Sequence, residues 1–305
     1  MEDYNTKRVL VTGGAGFLGS HLCERLLEDG NDVVCVDNFF TGSKDNIRHL
    51  VGHSNFELLR HDITFPLYVE VDEIYNLACP ASPIHYQSDP ILTFKTNIIG
   101  AMNVLENAYK NNSLVFHAST SEIYGDPLKH PQKENYLGNV STTGPRACYD
   151  EGKRGAETIF FDYERKYKTK IRVARIFNTY GPNMQLNDGR VISNFIVQCL
   201  KNKPITIYGN GHQTRSFCYV NDLIDAIVKF TNNDLMFEGP INLGNPDEYK
   251  IIEIAKIIKK ITNSKSKIIF KNKVIDDPFR RKPDISLAKK ILEWKPKISI
   301  DQGLR

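Results

Sequence analysis

Long apolar runs are missing from this sequence: none reaches the roughly 18 residues that a membrane-crossing helix needs. Internal repeats and low-complexity tracts are missing too, as are the Cys-x-x-Cys and His-pair spacings of zinc sites, so no metal is expected. Cysteine is sparse. Cys23, Cys35, Cys79, Cys148, Cys199 and Cys218 are scattered, several within apolar runs where a reduced thiol packs as a small hydrophobe. No sign of charge dominates, since 40 basic against 36 acidic residues leave a net charge of +4. That balance argues against a nucleic-acid partner and suits a small anionic ligand. Lysines of the C-terminal third, among them Lys259, Lys260 and Lys265, read as a solvated face. The N-terminus is acidic and enters a strand at once, which leaves no room for a signal peptide. A reducing, cytoplasmic setting away from membranes is the expectation.

What is present is an alternation of short apolar runs with helical patterns. Lys7 to Thr12 is a β-branched run that stops at Gly13-Gly14-Ala15-Gly16-Phe17-Leu18-Gly19. A helical pattern (Leu18, Leu22, Leu26) continues to about Gly30, and Val33 to Val36 is a second strand ending on Asp37. Strand, glycine turn, helix, strand and acid, in that order, is the dinucleotide-binding arrangement. Its glycines let backbone amides approach a pyrophosphate, and the helix N-terminus supplies unpaired N–H groups and a positive dipole end. Asp37 would accept from a ribose 2′-hydroxyl and repel a 2′-phosphate, so NAD is expected rather than NADP.

Further strands are expected at Phe56–Arg60, Glu73–Leu77, Leu114–His117 and Arg172–Ile176, with a helix after Pro90. Asp62, just past the third strand, is placed to touch an adenine amine. The fold class is therefore α/β, a Rossmann-type doubly wound parallel sheet. Beyond about Gly181 the texture changes, with short strands at Ile205–Tyr208, Ile241–Leu243 and Lys267–Phe270 among loops rich in Asn, Asp and Pro. Residues 1–180 read as the NAD-binding domain and 181–305 as a smaller α/β substrate lobe, with some elements interleaved. The chain stops in Ser299-Ile300-Asp301-Gln302-Gly303, which reads as a helix just starting, as in a truncated chain.

Chemistry concentrates in two places. Tyr149-Asp150-Glu151-Gly152-Lys153 comes after a loop with Gly144 and Pro145 and opens a helical pattern through Ala156, Ile159, Phe160 and Tyr163. Residues four apart share a helix face, so the phenol and the ammonium point the same way. A neighbouring cation lowers a phenol's pKa, which suits a general base near neutral pH. Most pairs at this spacing are an aromatic beside a solvated lysine; the dinucleotide turn upstream is what favours catalysis here. The fifth strand ends in Ala118-Ser119-Thr120-Ser121-Glu122-Ile123-Tyr124-Gly125, which puts hydroxyls and a carboxylate at the binding crevice. Turn capping by Ser and Thr is the competing explanation.

Together these motifs resemble the extended short-chain dehydrogenase/reductase superfamily, whose pattern is an early glycine turn, a strand-end Ser/Thr and Tyr-x-x-x-Lys. Within it the chain is similar, over nearly its whole length, to the UDP-glucuronate decarboxylases (UDP-xylose synthases). The similarity is carried by Val36 to Gly42, Pro80 to Pro83, Thr120 to Pro127 and Gly144 to Arg154. Later strings add to it: Ala174 to Pro182, Asn187 to Val191 and Arg281 to Ile285.

The resemblance implies a three-stage reaction on one sugar ring. Tyr149, aided by Lys153 and Thr120, takes the proton of the C4 hydroxyl while NAD+ receives the C4 hydride. The 4-keto uronate loses CO2 because its carbonyl takes up the electron pair, and reduction at C4 then gives UDP-xylose. There is no net redox change, so the cofactor is expected to stay bound. Arg281 is assigned to the substrate carboxylate, since a guanidinium is a fixed fork for carboxylates; Glu122 is assigned to proton traffic and water at C5. The cofactor would be held by Gly13, Gly16, Phe17, Leu18 and Gly19, then by Asp37, Asn38, Phe40, Thr41 and Gly42. Asp62, Ile63, Leu77 and Thr96 would complete its site together with Tyr149 and Lys153. Tyr68, Lys95, Ser121, Asn178, Arg190, Arg215 and Arg281 would hold the UDP-sugar, and a homodimer is expected by analogy. Two departures from the family pattern, Leu137 for Trp and Ser141-Thr142-Thr143 for Asn-Pro-Ile, fall in the loop that delivers Tyr149.

Rival readings are a nucleotide-sugar 4,6-dehydratase, a 4-epimerase, and an idle sensor of NAD and sugar nucleotides. A dehydratase needs an acid for the leaving hydroxyl, for which Ser121 is poor, although GDP-mannose dehydratases also carry Thr-Ser-Glu. An epimerase would leave Glu122 unexplained, and a sensor would typically have lost Tyr149 or Lys153.

Overall fold

The computed structural model describes residues 6–233, 237–272 and 278–305. Its strands, in chain order, begin with β1 (Arg8–Thr12), β2 (Asp32–Asp37), β3 (Phe56–Arg60), β4 (Glu73–Asn76), β5 (Leu114–Thr120) and β6 (Ile171–Ile176). Together with Ile241–Leu243 they form a seven-stranded sheet among the described residues, ordered Ile241–Leu243, β6, β5, β4, β1, β2, β3. Every pairing in it is parallel. Runs such as Val9–Val11 and Val33–Val36 are fully buried because a parallel sheet is covered on both faces.

The helices begin, in chain order, with α1 (Phe17–Glu28), α2 (Lys44–Ile47), α3 (Pro83–Ser88), α4 (Pro90–Lys95), α5 (Ala101–Asn111), α6 (Ala147–Tyr167), α7 (Val191–Leu200), α8 (Val220–Thr231) and α9 (Ile251–Ile261). On one face of the sheet, Leu22 and Leu26 of α1 pack with Leu223 and Ile227 of α8 and with Trp294. On the other, Val104, Leu105 and Ala108 of α5 pack with Ala156 and Phe160 of α6. A third core joins Phe195 of α7 and Ile254 and Ile258 of α9 to the buried side of Ile205–Tyr208. That strand pairs in parallel with Ile268–Lys271.

One strand sits elsewhere than its position in the sequence suggests. Ile241–Leu243, read among the strands of the small lobe, pairs with β6 and closes the main sheet. All three of its residues are buried, and α8 carries the chain back across the sheet to place it there. The single helix expected after Pro90 is also divided: α4 ends at Lys95, Thr96–Gly100 makes a wide π turn, and α5 begins at Ala101. No helix among the described residues is long and apolar enough to cross a membrane.

The strand order reverses between β1 and β4, the switch point where open α/β sheets bind ligands beyond their carboxyl ends. Thr12 Oγ1 ties the two strand ends by donating to Asn76 Oδ1 at 2.8 Å.

Candidate active site

A cavity of about 540 Å3 opens at the switch point, within the roughly 300–1,000 Å3 usual for small-molecule sites. Its floor is the glycine turn. Gly13 has φ of +69°, and a Cβ there would lie 2.9 Å from the Cα of Ala78. A Cβ on Gly19 would lie 2.7 Å from the Cα of Gly14, so the helix can approach the turn only without side chains. Gly16 offers no side-chain cap to α1, which leaves the first-turn amides to face the cavity beside Phe17 and Leu18. These features fit a pyrophosphate.

Asp37 ends β2 and lines the cavity, where its carboxylate accepts from Ala15 N at 3.0 Å and Phe39 N at 2.8 Å. Burial pushes its pKa up against the pull of those two amides. Asn38 donates to Asp62 at 3.0 Å and thereby links the ends of β2 and β3. Phe40, Thr41, Ile63, Leu77 and Thr96 line the same space. Gly42 lies behind it, and a Cβ there would meet the Asp37 carboxylate at 2.7 Å, so it supports the acid rather than a ligand.

Tyr149 and Lys153 project from the first turns of α6 into the cavity. Lys153 Nζ donates to Ala118 O at 2.8 Å, which seats the ammonium against the end of β5. The Tyr149 ring stacks on Tyr86, with centroids 5.0 Å apart and planes at 7°. Burial drives the phenol's pKa well above its usual value; neighbouring Cys79, Glu122 and Asp150 add to the rise, and the Thr120 hydroxyl opposes it. Burial also lowers Lys153. Burial therefore works against the downward tuning expected of Tyr149 from Lys153. Thr120 does what both of its readings require: its hydroxyl accepts from Glu122 N at 3.2 Å, capping the turn Ser121–Tyr124, and it faces Tyr149.

Glu122 is the charged centre of the site. Its two oxygens accept separately from Arg281 and Arg146. Burial alone would raise its pKa, but the Arg281 and Arg146 guanidiniums overcome that and hold it at about 2. Arg281 is buried on a short strand, Arg280–Arg281, paired with Thr214–Ser216 so that Arg281 lies beside Arg215. Arg215, Asn178, Ser121 and Arg190 all line the cavity; Arg190 forks onto Asp188 at the start of α7.

Two expected substrate-binding residues are not there. Tyr68 is 70% exposed on the outer loop before β4, with Lys110 Nζ 4.8 Å over its ring. Lys95 is exposed because the cavity face of its helix is set by Leu92 and Thr96, four residues apart. Conversely, Arg146, Tyr86 and Asp150 line or flank the site without standing out in the sequence. Arg146 lies one helical turn before Tyr149 and Asp150 directly after it, so proximity is the available signal; nothing local marks Tyr86. Leu137, one of the departures, is 83% exposed, and its carbonyl accepts from Arg154 of α6 at 2.8 Å.

A dinucleotide turn, a buried Tyr–Lys pair and a strand-end threonine facing one crevice define the class: an extended short-chain dehydrogenase/reductase. A family profile described as GDP-mannose 4,6 dehydratase matches residues 10–305. UDP-glucuronic acid decarboxylase 1 of Arabidopsis thaliana is 53% identical over 297 residues, covering 97% of this chain and 68% of that protein. UDP-glucuronic acid decarboxylase 1 of Xenopus tropicalis is 52% identical over 304 residues, covering 100% of this chain and 72% of that one. Among solved structures, UDP-glucuronic acid 4-epimerase from Bacillus cereus, in complex with UDP-glucuronic acid and NAD, superposes with a TM-score of 0.89 at 30% identity, covering 97% of this chain and 96% of the other. The chain belongs to the UDP-glucuronic acid decarboxylase family.

Proposed function

We propose that this protein converts UDP-glucuronate to UDP-xylose and CO2 with a resident NAD that is not consumed. The observation that carries the reading is the meeting of Arg281 with Glu122 in the cavity that holds Tyr149 and Lys153. The Tyr–Lys pair serves any oxidation at C4, and buried arginines beside it suit a substrate that carries a carboxylate there, as a uronate does.

NAD, when bound, supplies a reversible two-electron acceptor at C4. Gly13, Gly16, Phe17, Leu18 and Gly19 would hold its pyrophosphate, and Asp37 its adenosine ribose. Tyr149 accepts the C4 hydroxyl proton, with Thr120 orienting that hydroxyl and Lys153 stabilising the phenolate. Burial raises the Tyr149 phenol, and the Thr120 hydroxyl works against that rise. In the 4-keto acid the C5–C6 bond then breaks and its electron pair enters the carbonyl as an enolate. Arg281 holds the departing carboxylate out of the ring plane and balances the developing charge. Glu122, an anion here, holds a water that relays a solvent proton to C5. Tyr149 returns its proton to the C4 oxygen as the ketone is reduced. Asn178, Arg190 and Arg215 grip the UDP.

The decisive experiment incubates the protein with NAD+ and UDP-glucuronate and monitors CO2 and a pentose nucleotide. Both should appear; UDP-galacturonate without CO2 would instead indicate a 4-epimerase. Tyr149→Phe should lower turnover by about a thousandfold or more and leave UDP-glucuronate binding within about twofold.

The proposal extends to assembly and setting. Of the described residues, 6–180 with Ile241–Leu243 and α8 form the nucleotide lobe, and the others cover it. The outer side of the π turn, α5 and α6 presents Ile99, Met102, Tyr109 and Tyr167, each at least 40% exposed, with Tyr109 and Tyr167 in ring contact at 5.0 Å. An apolar strip of this kind on two adjacent helices fits a second copy of the chain in a four-helix contact. Six free cysteines suit a reducing, cytoplasmic compartment.

A further inference from the structure

Glu122 is held from both sides. Its Oε1 accepts from Arg281 Nη1 and its Oε2 from Arg146 Nη2. Arg281 also reaches the Gly125 carbonyl at 3.4 Å, and Arg146 lies 3.8 Å from Asp150. The side chains of Arg146 and Glu122 are only 12% and 14% exposed and that of Arg281 only 3%, yet all three line the cavity beside Tyr149. Two guanidiniums converging on the two oxygens of one carboxylate make a receptor for a carboxylate. Nothing restricts the occupant to one belonging to the protein itself.

We propose that Arg146 is a specificity-determining residue that binds the substrate's carboxylate together with Arg281, and that Glu122 occupies this clamp as a stand-in until substrate displaces it. This rests on the decarboxylase reading and adds to it a second arginine and an exchange of carboxylates. The exchange avoids the most costly state, a pair of buried cations with no anion between them. Glu122, moved out of the clamp, loses its two counterions at the moment a proton is needed at C5. After CO2 is lost the pentose nucleotide has no carboxylate to offer, so Glu122 returns and the product loses a hold that the substrate had. A neutral hexose nucleotide has nothing to exchange and binds with Glu122 in place.

The test compares dissociation constants for UDP-glucuronate and UDP-glucose by calorimetry on the NAD-loaded protein. Arg146→Gln should weaken UDP-glucuronate by about tenfold or more, and Glu122→Gln should tighten it by about tenfold, because a neutral amide competes poorly for the clamp. UDP-glucose should change by less than about threefold in both variants. The proposal is overturned if Arg146→Gln shifts both ligands alike or neither, or if Glu122→Gln weakens UDP-glucuronate. Should Arg146→Gln not fold, Arg146→Lys serves, since it keeps the charge and loses the fork; the same selective weakening is expected. Failure of the underlying reading is distinguishable: the wild-type protein would then release no CO2, whereas failure of the clamp alone leaves CO2 release intact.

Discussion

Asp150 shows how far a single residue's surroundings can move its chemistry. Burial, and then the nearby Glu122 carboxylate, push its pKa up to about 7, and the Arg146 and Arg281 guanidiniums only partly offset this. The folded value lies above the ordinary 3.8, so between these two pH values the folded protein binds more protons than the unfolded chain. Stability must therefore fall as pH rises through that window. Asp150→Asn keeps the shape and removes the titration. Urea denaturation across pH 4 to 7 should show a flatter decline for the variant, which gains on the wild type as pH rises. Identical slopes would mean that Asp150 does not carry the proton. Tyr149 obeys the same physics: proximity to Lys153 suggests a lowered phenol, and burial under Tyr86 reverses the sign.

At the level of elements, the glycine turn and α1 form one unit whose spacing admits no side chain. Gly19→Val would drive a branched side chain into the Gly14 backbone, 2.7 Å from the first added carbon, and backbone cannot give way as a flexible side chain can. NAD binding should weaken by at least about tenfold in a titration of the purified variant. Unchanged affinity would place the nucleotide elsewhere. The run from α4 through the π turn to α5 makes the opposite point. Its apolar pattern reads as one helix, but the widened turn at Thr96–Gly100 rotates α5 relative to α4, and Thr96 faces the cavity while Lys95 faces solvent. A periodicity count contains no term for such a bulge.

For the whole molecule, the proposed pairing through α5 and α6 has a direct consequence. Met102→Asp combined with Tyr109→Asp should turn a dimer into a monomer in sedimentation equilibrium, with a folded circular-dichroism spectrum retained. A wild-type monomer at micromolar concentration would refute the pairing. The segment from Trp294 onward is tied down as well. Trp294 Nε1 donates to the Asp222 carbonyl at 3.1 Å, and the Asp222 carboxylate takes the amides of Lys297 and Ile298 at 2.9 and 2.8 Å. These bonds fasten the C-terminal segment to α8.

Much of this can be read without coordinates because it is local. Strand, glycine turn, helix and terminal acid span barely thirty residues, and Tyr149 and Lys153 sit one helical turn apart, so spacing alone fixes which groups meet. Arg281 is legible by resemblance and not by spacing, since it contacts Glu122 across a separation of 159 residues. The placement of Ile241–Leu243 in the main sheet, the exclusion of Tyr68 and Lys95, and the entry of Arg146 and Tyr86 all depend on how distant elements pack together in three dimensions. So do the protonation states of Tyr149 and Asp150, because desolvation is a property of everything packed around a group and no short stretch of chain encodes it.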